Sequence, residues 1–215
     1  MSKVIVIIGA GNGISKSVAE KFGNEQFSVC LISRRKEKLE KLTAELIEQG
    51  IDAYYFTADA GDTDMMKDAF DQIWEKFDFV DVVHYNAAKL KQVNIINETS
   101  DSLTRDFKLN VGGVMTALKL VLPDMEKKNS GAILLTGGGF ALQPNPNFGS
   151  LAIGKAGIRN LAQSLNEALK EKQIFVGTVT VCGLVSEQSE QLSPKNIADK
   201  FWELYTERNN WEIQV

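Results

Sequence analysis

The sequence predicts a doubly wound α/β fold with a mainly parallel, seven-stranded sheet and helices on both faces. Short apolar runs rich in Val and Ile alternate with longer amphipathic segments along the whole chain, as in a series of right-handed β–α–β units. The apolar runs are continuous, which is typical of parallel strands buried on both faces. No Pro- or Gly-rich linker divides residues 1–215, so the pattern predicts a single domain.

The first four elements follow one another closely. Residues 3–9 (KVIVIIG) are a β-branched run that predicts a strand, and residues 12–22 have the apolar spacing of a helix. Residues 27–33 (FSVCLIS) predict a second strand. Residues 35–50 are charged and amphipathic, and they end at Gly50, which suits the position after a helix C-terminus.

The alternation continues through the rest of the chain. Residues 52–59 and 80–88 are predicted strands, and the helix predicted over residues 62–77 begins with an acidic, cap-forming turn. A long helix is predicted over residues 101–128, with Pro123 near its end. The remaining elements are predicted strands at 131–139, 174–183 and 211–215 and predicted helices at 151–172 and 193–207, the last with Ser193 as N-cap and Pro194 in the first turn.

The composition is that of an ordinary globular protein without a basic excess. Of 215 residues, 44% are apolar and 24% are charged, and the net charge is −4. This balance argues against nucleic acids and anionic membranes as primary partners. The first apolar run is too short for a secretion signal or a membrane span. We therefore expect a cytoplasmic protein that acts on a small molecule.

The cysteines and the histidine do not suggest a metal site. Cys30 and Cys182 lie far apart in two apolar runs, and His84 is the only histidine. This leaves no zinc ligand set. We expect no bound metal, and we expect both cysteines to be buried and reduced.

Three glycines join the first predicted strand to the first predicted helix. Gly9, Gly11 and Gly13 occupy the position where a dinucleotide-binding turn cradles a phosphate. Such a turn needs a positive φ and missing Cβ atoms, and the helix start behind it, with Asn12 and Ile14, favours an anion. The literal GxGxxG pattern fails because residue 14 is Ile. The alternative is a glycine-rich turn without a ligand.

Basic residues follow the second predicted strand. A site selective for NAD would usually carry Asp or Glu there, whereas this sequence has Ser33, Arg34 and Arg35. Arginine binds a 2′-phosphate through charge and bidentate hydrogen bonds. The sequence therefore predicts NADP(H) rather than NAD(H). For Arg35 and Lys36, a solvated helix start explains the charges equally well.

These motifs and others further along the chain resemble the short-chain dehydrogenase/reductase family, which has a Rossmann-type fold. GAGNGIS resembles the family's GxxxGxG turn, with Ser15 in place of the last glycine, and YNAA resembles its NNAG motif. The resemblance implies that Asp59 meets the adenine ring of the cofactor. With the glycine turn and the basic residues, it gives this cofactor-binding set: Gly9, Gly11, Asn12, Gly13, Ile14, Ser33, Arg34, Asp59, Ala60, Asn86, Ala87, Lys155 and Gly183.

The same resemblance matches two catalytic residues and lacks two others. Asn110 in FKLNVGG and Lys155 match two positions of the family's catalytic tetrad. Leu151 stands where the family has its tyrosine, and Gly138 where it has its serine. Leucine cannot donate a proton and glycine offers only its backbone N–H, so the usual proton relay is missing. The segment between Gly183 and the last helix is also shorter than in the family.

Three functions fit a retained cofactor site with a missing acid. We favour an atypical NADP(H)-dependent oxidoreductase, whose acceptor either needs no protein acid, as with a flavin or quinone, or receives its proton from a relocated donor. The alternative is a non-catalytic NADP(H)-binding sensor or regulatory protein. The sequence offers five substitute donors, each with a structural role as its competing interpretation: Lys155, Thr136, Ser150, Tyr85 and His84.

The two longest predicted helices bear on the assembly of the protein. The helices at 101–128 and 151–172 carry apolar residues around much of their circumference. In the family that the chain resembles, such helices pair across a dimer axis, which implies a homodimer or homotetramer. Ordinary packing against the core is the alternative.

Overall fold

Seven strands form one sheet in the computed structural model, which describes residues 2–215. The strands are β1 (Lys3–Ile8), β2 (Phe27–Ser33), β3 (Ala53–Thr57), β4 (Val82–Tyr85), β5 (Gly131–Thr136), β6 (Ile174–Thr180) and β7 (Glu212–Gln214). All neighbouring strands run parallel, in the order β3-β2-β1-β4-β5-β6-β7. The predicted seven-stranded parallel sheet is confirmed.

Helices cover both faces of this sheet. They are α1 (Ile14–Asn24), α2 (Lys36–Glu48), α3 (Thr63–Trp74), α4 (Ser100–Phe107), α5 (Gly113–Lys128), α6 (Gly149–Leu169) and α7 (Pro194–Glu207). Buried residues of α3, α5 and α6 belong to one apolar cluster, and those of α1, α2 and α7 to a second cluster on the opposite face. The doubly wound α/β fold predicted from the alternation is therefore confirmed.

The strand β1 shows why the apolar runs are continuous. Val6 and Ile8 face the cluster that contains α5, whereas Ile5 and Ile7 face the cluster that contains α1. All four side chains are fully buried. A strand with one solvated face would have polar residues at every second position, so the buried central position of β1 accounts for its sequence.

One predicted helix, residues 101–128, is interrupted by a π-helical turn at Lys108–Gly112, between α4 and α5. The N–H of Gly113 bonds to the Lys108 carbonyl, five residues back. The carbonyl of Leu109 instead accepts a hydrogen bond from the Tyr85 hydroxyl of β4. A Cβ atom at residue 113 would collide with that hydroxyl. The turn therefore depends on a contact with a distant strand, which helical periodicity does not reveal.

Helix caps agree with their sequence signals. The Ser193 side chain accepts a hydrogen bond from the Asn196 N–H at the start of α7, with Pro194 in the first turn. Asp62 caps α3 by accepting hydrogen bonds from the N–H groups of Asp64 and Met65. Side-chain caps of this kind satisfy helix N–H groups that have no partner within the helix.

The prediction that both cysteines are buried is half wrong. Cys30 lies in the core of β2, but Cys182 is exposed. The reason is that β6 ends at Thr180, so that Cys182 lies in the following loop although its apolar run continues. Among the helices of residues 2–215, none combines the length and the apolar character that a membrane span requires.

Candidate cofactor and active site

The glycine turn after β1 is built around a close approach to the end of β4. Gly9 has a φ of +84°, and a Cβ atom on it would lie 2.6 Å from the Cα of Ala87. The Gly9 N–H donates to the Ile32 carbonyl of β2 over 2.9 Å. A side chain at residue 9 would force these segments apart. Gly9 therefore allows the turn to lie directly against Ala87.

The other two glycines of the turn face open space. Cβ atoms at Gly11 and Gly13 would have no heavy atom within 4 Å, and Gly13 has a φ of +103°. Gly13 is the N-cap of α1 and no side chain caps this helix. The turn thus presents backbone N–H groups beside exposed Asn12 and half-buried Ile14. Such a helix start attracts a phosphate.

Ser15 connects this turn to β4, a role that sequence reasoning missed. Its hydroxyl donates to the Gly9 carbonyl over 3.1 Å and accepts from the Asn86 Nδ2 over 2.8 Å. The Asn86 backbone N–H donates to the Ile8 carbonyl over 2.8 Å. Ser15 therefore holds Asn86 at the edge of the sheet. The available signal was a hydroxyl in the first turn of a helix, where side chains bond to nearby carbonyls.

The residues predicted to bind the adenine end lie together at the ends of β2 and β3. The Arg34 guanidinium is 65% exposed and lies 3.7 Å from an Asp59 oxygen. The other Asp59 oxygen accepts the Gly61 N–H over 2.9 Å. The Ser33 carbonyl accepts the Ala58 N–H over 3.1 Å, and Ala60 is buried. An exposed ion pair of this length is weak, so Arg34 remains available to an anion.

Lys155 of α6 extends inward over Gly138. Its Nζ donates to the Thr136 carbonyl of β5 over 2.7 Å. A Cβ atom at Gly138 would lie 3.2 Å from the Lys155 methylene chain. Burial around the ammonium group lowers its pKa from 10.5 to about 8. The lysine chain thus occupies the space into which a side chain at residue 138 would extend.

A small cavity beside Lys155 is bounded by Leu151, which is 7% exposed and offers only methyl groups. The cavity is also lined by Tyr85, Ala87, Ala88, Asn110, Thr136, Gly154 and Ile158. The Tyr85 hydroxyl already donates to the Leu109 carbonyl, and burial raises its pKa. No phenol or carboxylic acid among these lining residues has a free proton to offer.

Two other substitute donors lie away from the cavity. The His84 Nε2 lies 3.0 Å from the Thr136 hydroxyl, and burial lowers the pKa of His84 to about 3, which keeps the ring neutral. The Ser150 hydroxyl is buried without a hydrogen-bond partner and lies beside the Glu98 carboxylate. Neither residue lines the cavity. Of the five candidate donors, Lys155 therefore has the best position.

Asn110 enters the cavity from the π-helical turn. The residue is 3% exposed, and its Oδ1 accepts the Lys89 N–H over 2.7 Å. Its Nδ2 is buried and has no partner. Gly154 of α6 makes room for this amide, since a Cβ atom there would lie 2.6 Å from Nδ2. The structure thus brings Asn110 and Lys155 together at one cavity.

Gly183 lies outside this cavity, in the loop after β6. It is exposed, and a Cβ atom on it would contact the side chain of Leu192 at 2.5 Å. The neighbouring Cys182 N–H donates to the Val215 carbonyl over 2.7 Å. The loop lies at the same edge of the sheet as Asn86 and Lys155. Throughout residues 2–215, no group of three or more His, Cys, Asp or Glu side chains is arranged to hold a metal ion.

This fold and this arrangement of residues define a class of protein. The chain belongs to the short-chain dehydrogenase family, because the family model described as short chain dehydrogenase matches residues 3–196. The match covers the strands β1 to β6 and the whole edge of the sheet described above.

Individual relatives are reductases. The 3-oxoacyl-[acyl-carrier-protein] reductase FabG of Staphylococcus aureus (strain N315) is 26% identical over 194 residues, covering 90% of this chain and 79% of the relative. The enzyme of the same name from Thermotoga maritima is 25% identical over 195 residues, covering 90% and 78%.

Solved structures share the fold at lower identity. A variant of actinorhodin polyketide ketoreductase with NADPH has a TM-score of 0.91 at 20% identity, covering 100% of this chain and 95% of that chain. A metagenomic short-chain oxidoreductase in complex with NADP has a TM-score of 0.86 at 22% identity, covering 99% and 95%. At these identities the likeness concerns the fold.

Proposed function

We propose that the protein is an atypical NADP(H)-dependent oxidoreductase of the short-chain dehydrogenase/reductase type that works without the family's tyrosine and serine. The observation that carries the proposal is the shared edge of the sheet. The open glycine turn at the start of α1 and the partly desolvated Lys155 of α6 both lie where β1, β4 and β5 end. In doubly wound sheets, nucleotides bind at this edge, where the strand order reverses.

The residues present fit an NADP(H) molecule. Gly11, Asn12, Gly13 and Ile14 supply the uncapped helix start for the pyrophosphate. Arg34, with Ser33 beside it, supplies charge for the 2′-phosphate. Asp59 and Ala60 would contact the adenine. The nicotinamide half would contact Asn86, Ala87, Lys155 and the loop of Gly183. When bound, the reduced cofactor supplies a hydride. The relatives that carry NADPH or NADP in their solved structures support this choice.

Lys155 and Asn110 are the two residues at this cavity that match the family's catalytic positions. We expect Lys155 to hold the ribose hydroxyls, and the lowered pKa of its ammonium makes it a better proton donor than an ordinary lysine. Leu151 and Gly138 cannot form the family's proton relay, because leucine has no proton to donate and glycine has no side chain. We propose that reduction of simple ketones is therefore slow, by about 10²–10⁴-fold relative to an enzyme with general acid help.

The positions of Leu151 and Lys155 also favour a second function. Leu151 is packed rather than reactive, and the Lys155 chain fills the space above Gly138. A protein that binds NADP(H) to sense or regulate would need no proton donor at all. This alternative keeps every cofactor contact and differs only in the absence of turnover.

Cofactor titration tests both functions. We expect the intrinsic fluorescence of NADPH to report saturable binding in the micromolar range, with weaker binding of NADH. Arg34→Ala should weaken NADPH binding by about tenfold, the loss of one charge-assisted contact, and should leave NADH unchanged. Arg105→Ala, an exposed arginine on α4, is the matched control. Failure of the protein to bind either nucleotide would overturn both functions.

We also propose that the chain acts in the cytoplasm as a single domain and as a homodimer or homotetramer. Phe107 of α4 and Ile153 of α6 are each 43% exposed, although both are large and apolar. A Cβ atom on Gly157 of α6 would lie 3.1 Å from the Phe107 ring, so the two helices lie side by side. Exposed apolar side chains on adjacent helices are typical of a subunit interface.

A further inference from the structure

A second cavity lies at the amino end of β6, on the opposite edge of the sheet from the glycine turn and Lys155. Its volume of about 370 Å³ is within the range of small-molecule sites. The shortness of β7 explains the opening. Within residues 2–215, β7 pairs only with Thr178–Thr180, so the first half of β6 has no strand beside it on this side. The end of α6 and the segment after α7 surround the gap instead.

The walls of this second cavity carry positive charge without a carboxylate. Lys170, directly after α6, and Arg208, directly after α7, both line the cavity, and none of its lining residues is acidic. Neither side chain forms an ion pair within the described residues 2–215. The acidic residues on the adjoining turns, Glu171 and Glu207, are exposed and do not line the cavity. The second cavity therefore favours an anion.

Two side chains of the second cavity stand at backbone positions that usually belong to glycine. Gln173 has a φ of +56° and Arg208 a φ of +53°. Each follows a helical turn, at the position where glycine adopts this left-handed conformation without a steric cost. The Arg208 Nε donates to the Tyr205 carbonyl over 3.0 Å, which leaves the two terminal nitrogens of the guanidinium available to a ligand. Strained residues of this kind concentrate at ligand sites.

An aromatic wall with a fixed orientation completes the second cavity. The half-buried Trp211 and the Phe175 side chain both line it. The Arg159 guanidinium lies 5.3 Å from the centre of the Trp211 ring and is itself held by hydrogen bonds to Glu212 of 2.9 and 2.7 Å. The Trp211 carbonyl accepts the Thr178 N–H over 2.8 Å. Because these contacts hold Trp211 in place, its ring offers a preformed surface for a planar group.

The remaining polar groups of the second cavity are four carboxamides, those of Asn166, Gln173, Asn209 and Asn210. Each carboxamide offers both a donor and an acceptor, which matches the edge of a nitrogen heterocycle better than a hydrocarbon ring. The two cations match a dianionic phosphate. We propose that the second cavity binds a nucleoside monophosphate, whose base packs on Trp211 and whose phosphate pairs with Lys170 and Arg208.

Calorimetric titration with AMP tests this site. When NADPH at saturation occupies the glycine turn, we expect one AMP to bind each chain with a dissociation constant below about 1 mM. Adenosine and inorganic phosphate should each bind at least about tenfold more weakly, because each offers only part of the contacts. Absence of AMP binding, or binding of adenosine or phosphate as tight as that of AMP, would overturn the proposal.

Arg208→Gly tests the phosphate contact in a variant that should fold, since glycine suits the positive φ at this residue. We expect the AMP affinity to fall at least about tenfold, the strength of a hydrogen bond to a charged group, while thermal unfolding shows that the folded state is retained. Lys170→Gln should weaken AMP binding in the same direction. Lys195→Gln removes an exposed charge in the first turn of α7 and should leave the AMP affinity unchanged.

Gly11→Ala separates the second cavity from the glycine turn. The added methyl group occupies the phosphate position of the turn, so AMP in the second cavity should keep its affinity in this variant, whether or not NADPH binds. If NADPH fails to bind and AMP behaves as expected, the proposed oxidoreductase function fails and the nucleotide site stands. AMP binding that Gly11→Ala weakens and Arg208→Gly leaves unchanged would place AMP at the glycine turn and overturn the inference.

Discussion

Gly138 and Lys155 lie against each other at the end of β5. Because residue 138 has no side chain, the Lys155 chain can pass over it. The lysine chain lies 3.2 Å from where a Cβ atom at residue 138 would be, and its Nζ reaches the Thr136 carbonyl. The Thr136 carbonyl and the open space above Gly138 therefore hold the Lys155 side chain, and no tyrosine is needed beside it.

A tyrosine at residue 151 should increase the rate of ketone reduction. Leu151→Tyr places a hydroxyl one helical turn before Lys155, whose ammonium would lower the pKa of the phenol. We expect the rate of tetralone reduction with NADPH to rise by about 10²-fold. Leu151→Phe is the control, since it adds the ring without the hydroxyl. An equal gain in both variants would attribute the effect to packing instead of proton transfer.

The pKa of Lys155 also predicts a pH dependence of stability. Because the fold lowers this pKa from 10.5 to about 8, the unfolded chain binds the proton more tightly. Between these two pKa values the unfolded state therefore holds more protons, and the free energy of unfolding should rise by about 1 kcal/mol per pH unit. Lys155→Met should remove this rise, which urea unfolding at two alkaline pH values can measure. An identical slope in the variant would contradict the prediction.

At the scale of elements, the strands were predictable and the irregular turns were not. Continuous apolar runs indicated β1, β2 and β5 because buried parallel strands need apolar residues on both faces. The π-helical turn at Lys108–Gly112 depends on the Tyr85 hydroxyl, which lies far away in the sequence. The hydrogen bond between Ser15 and Asn86 likewise joins residues that are far apart in the sequence. Such long-range polar contacts carry no periodic signal, and the roles of the site residues stay predictions.

The glycine turn offers a test that separates folding from cofactor binding. Gly9→Ala would strain a positive φ and drive a Cβ atom into Ala87, so we expect a loss of about 1–3 kcal/mol of unfolding free energy. Gly11→Ala faces open space and should change stability by less than about 0.5 kcal/mol, yet it should weaken NADPH binding because the methyl group occupies the phosphate position. Thermal unfolding and NADPH fluorescence measure the two effects. A Gly11→Ala variant with full affinity would place the phosphate elsewhere.

At the scale of the whole molecule, the order of the strands creates the site. The chain forms β1, β2 and β3 in one direction and then returns to place β4 on the other side of β1. The connections that leave β1 and β4 diverge to opposite faces of the sheet, which opens a crevice between them. Alternation predicted the parallel sheet through the right-handedness of β–α–β units. Because β4 pairs with β1, Gly9 and Asn86 are neighbours although the sequence separates them widely.

The last prediction concerns which helices form the proposed subunit interface. Phe107 and Ile153 lie on α4 and α6, on the face of the sheet that also carries α3 and α5. If these helices pair between subunits, the combined change Phe107→Asp and Ile153→Asp should convert a dimer or tetramer into smaller species, because burying unpaired carboxylates opposes association. Ile47→Asp is the control, since Ile47 is 56% exposed on α2 of the opposite face. Sedimentation velocity at micromolar concentration measures the masses. A monomeric unmodified protein would contradict the proposed assembly, and dissociation by Ile47→Asp alone would assign the interface to the other face.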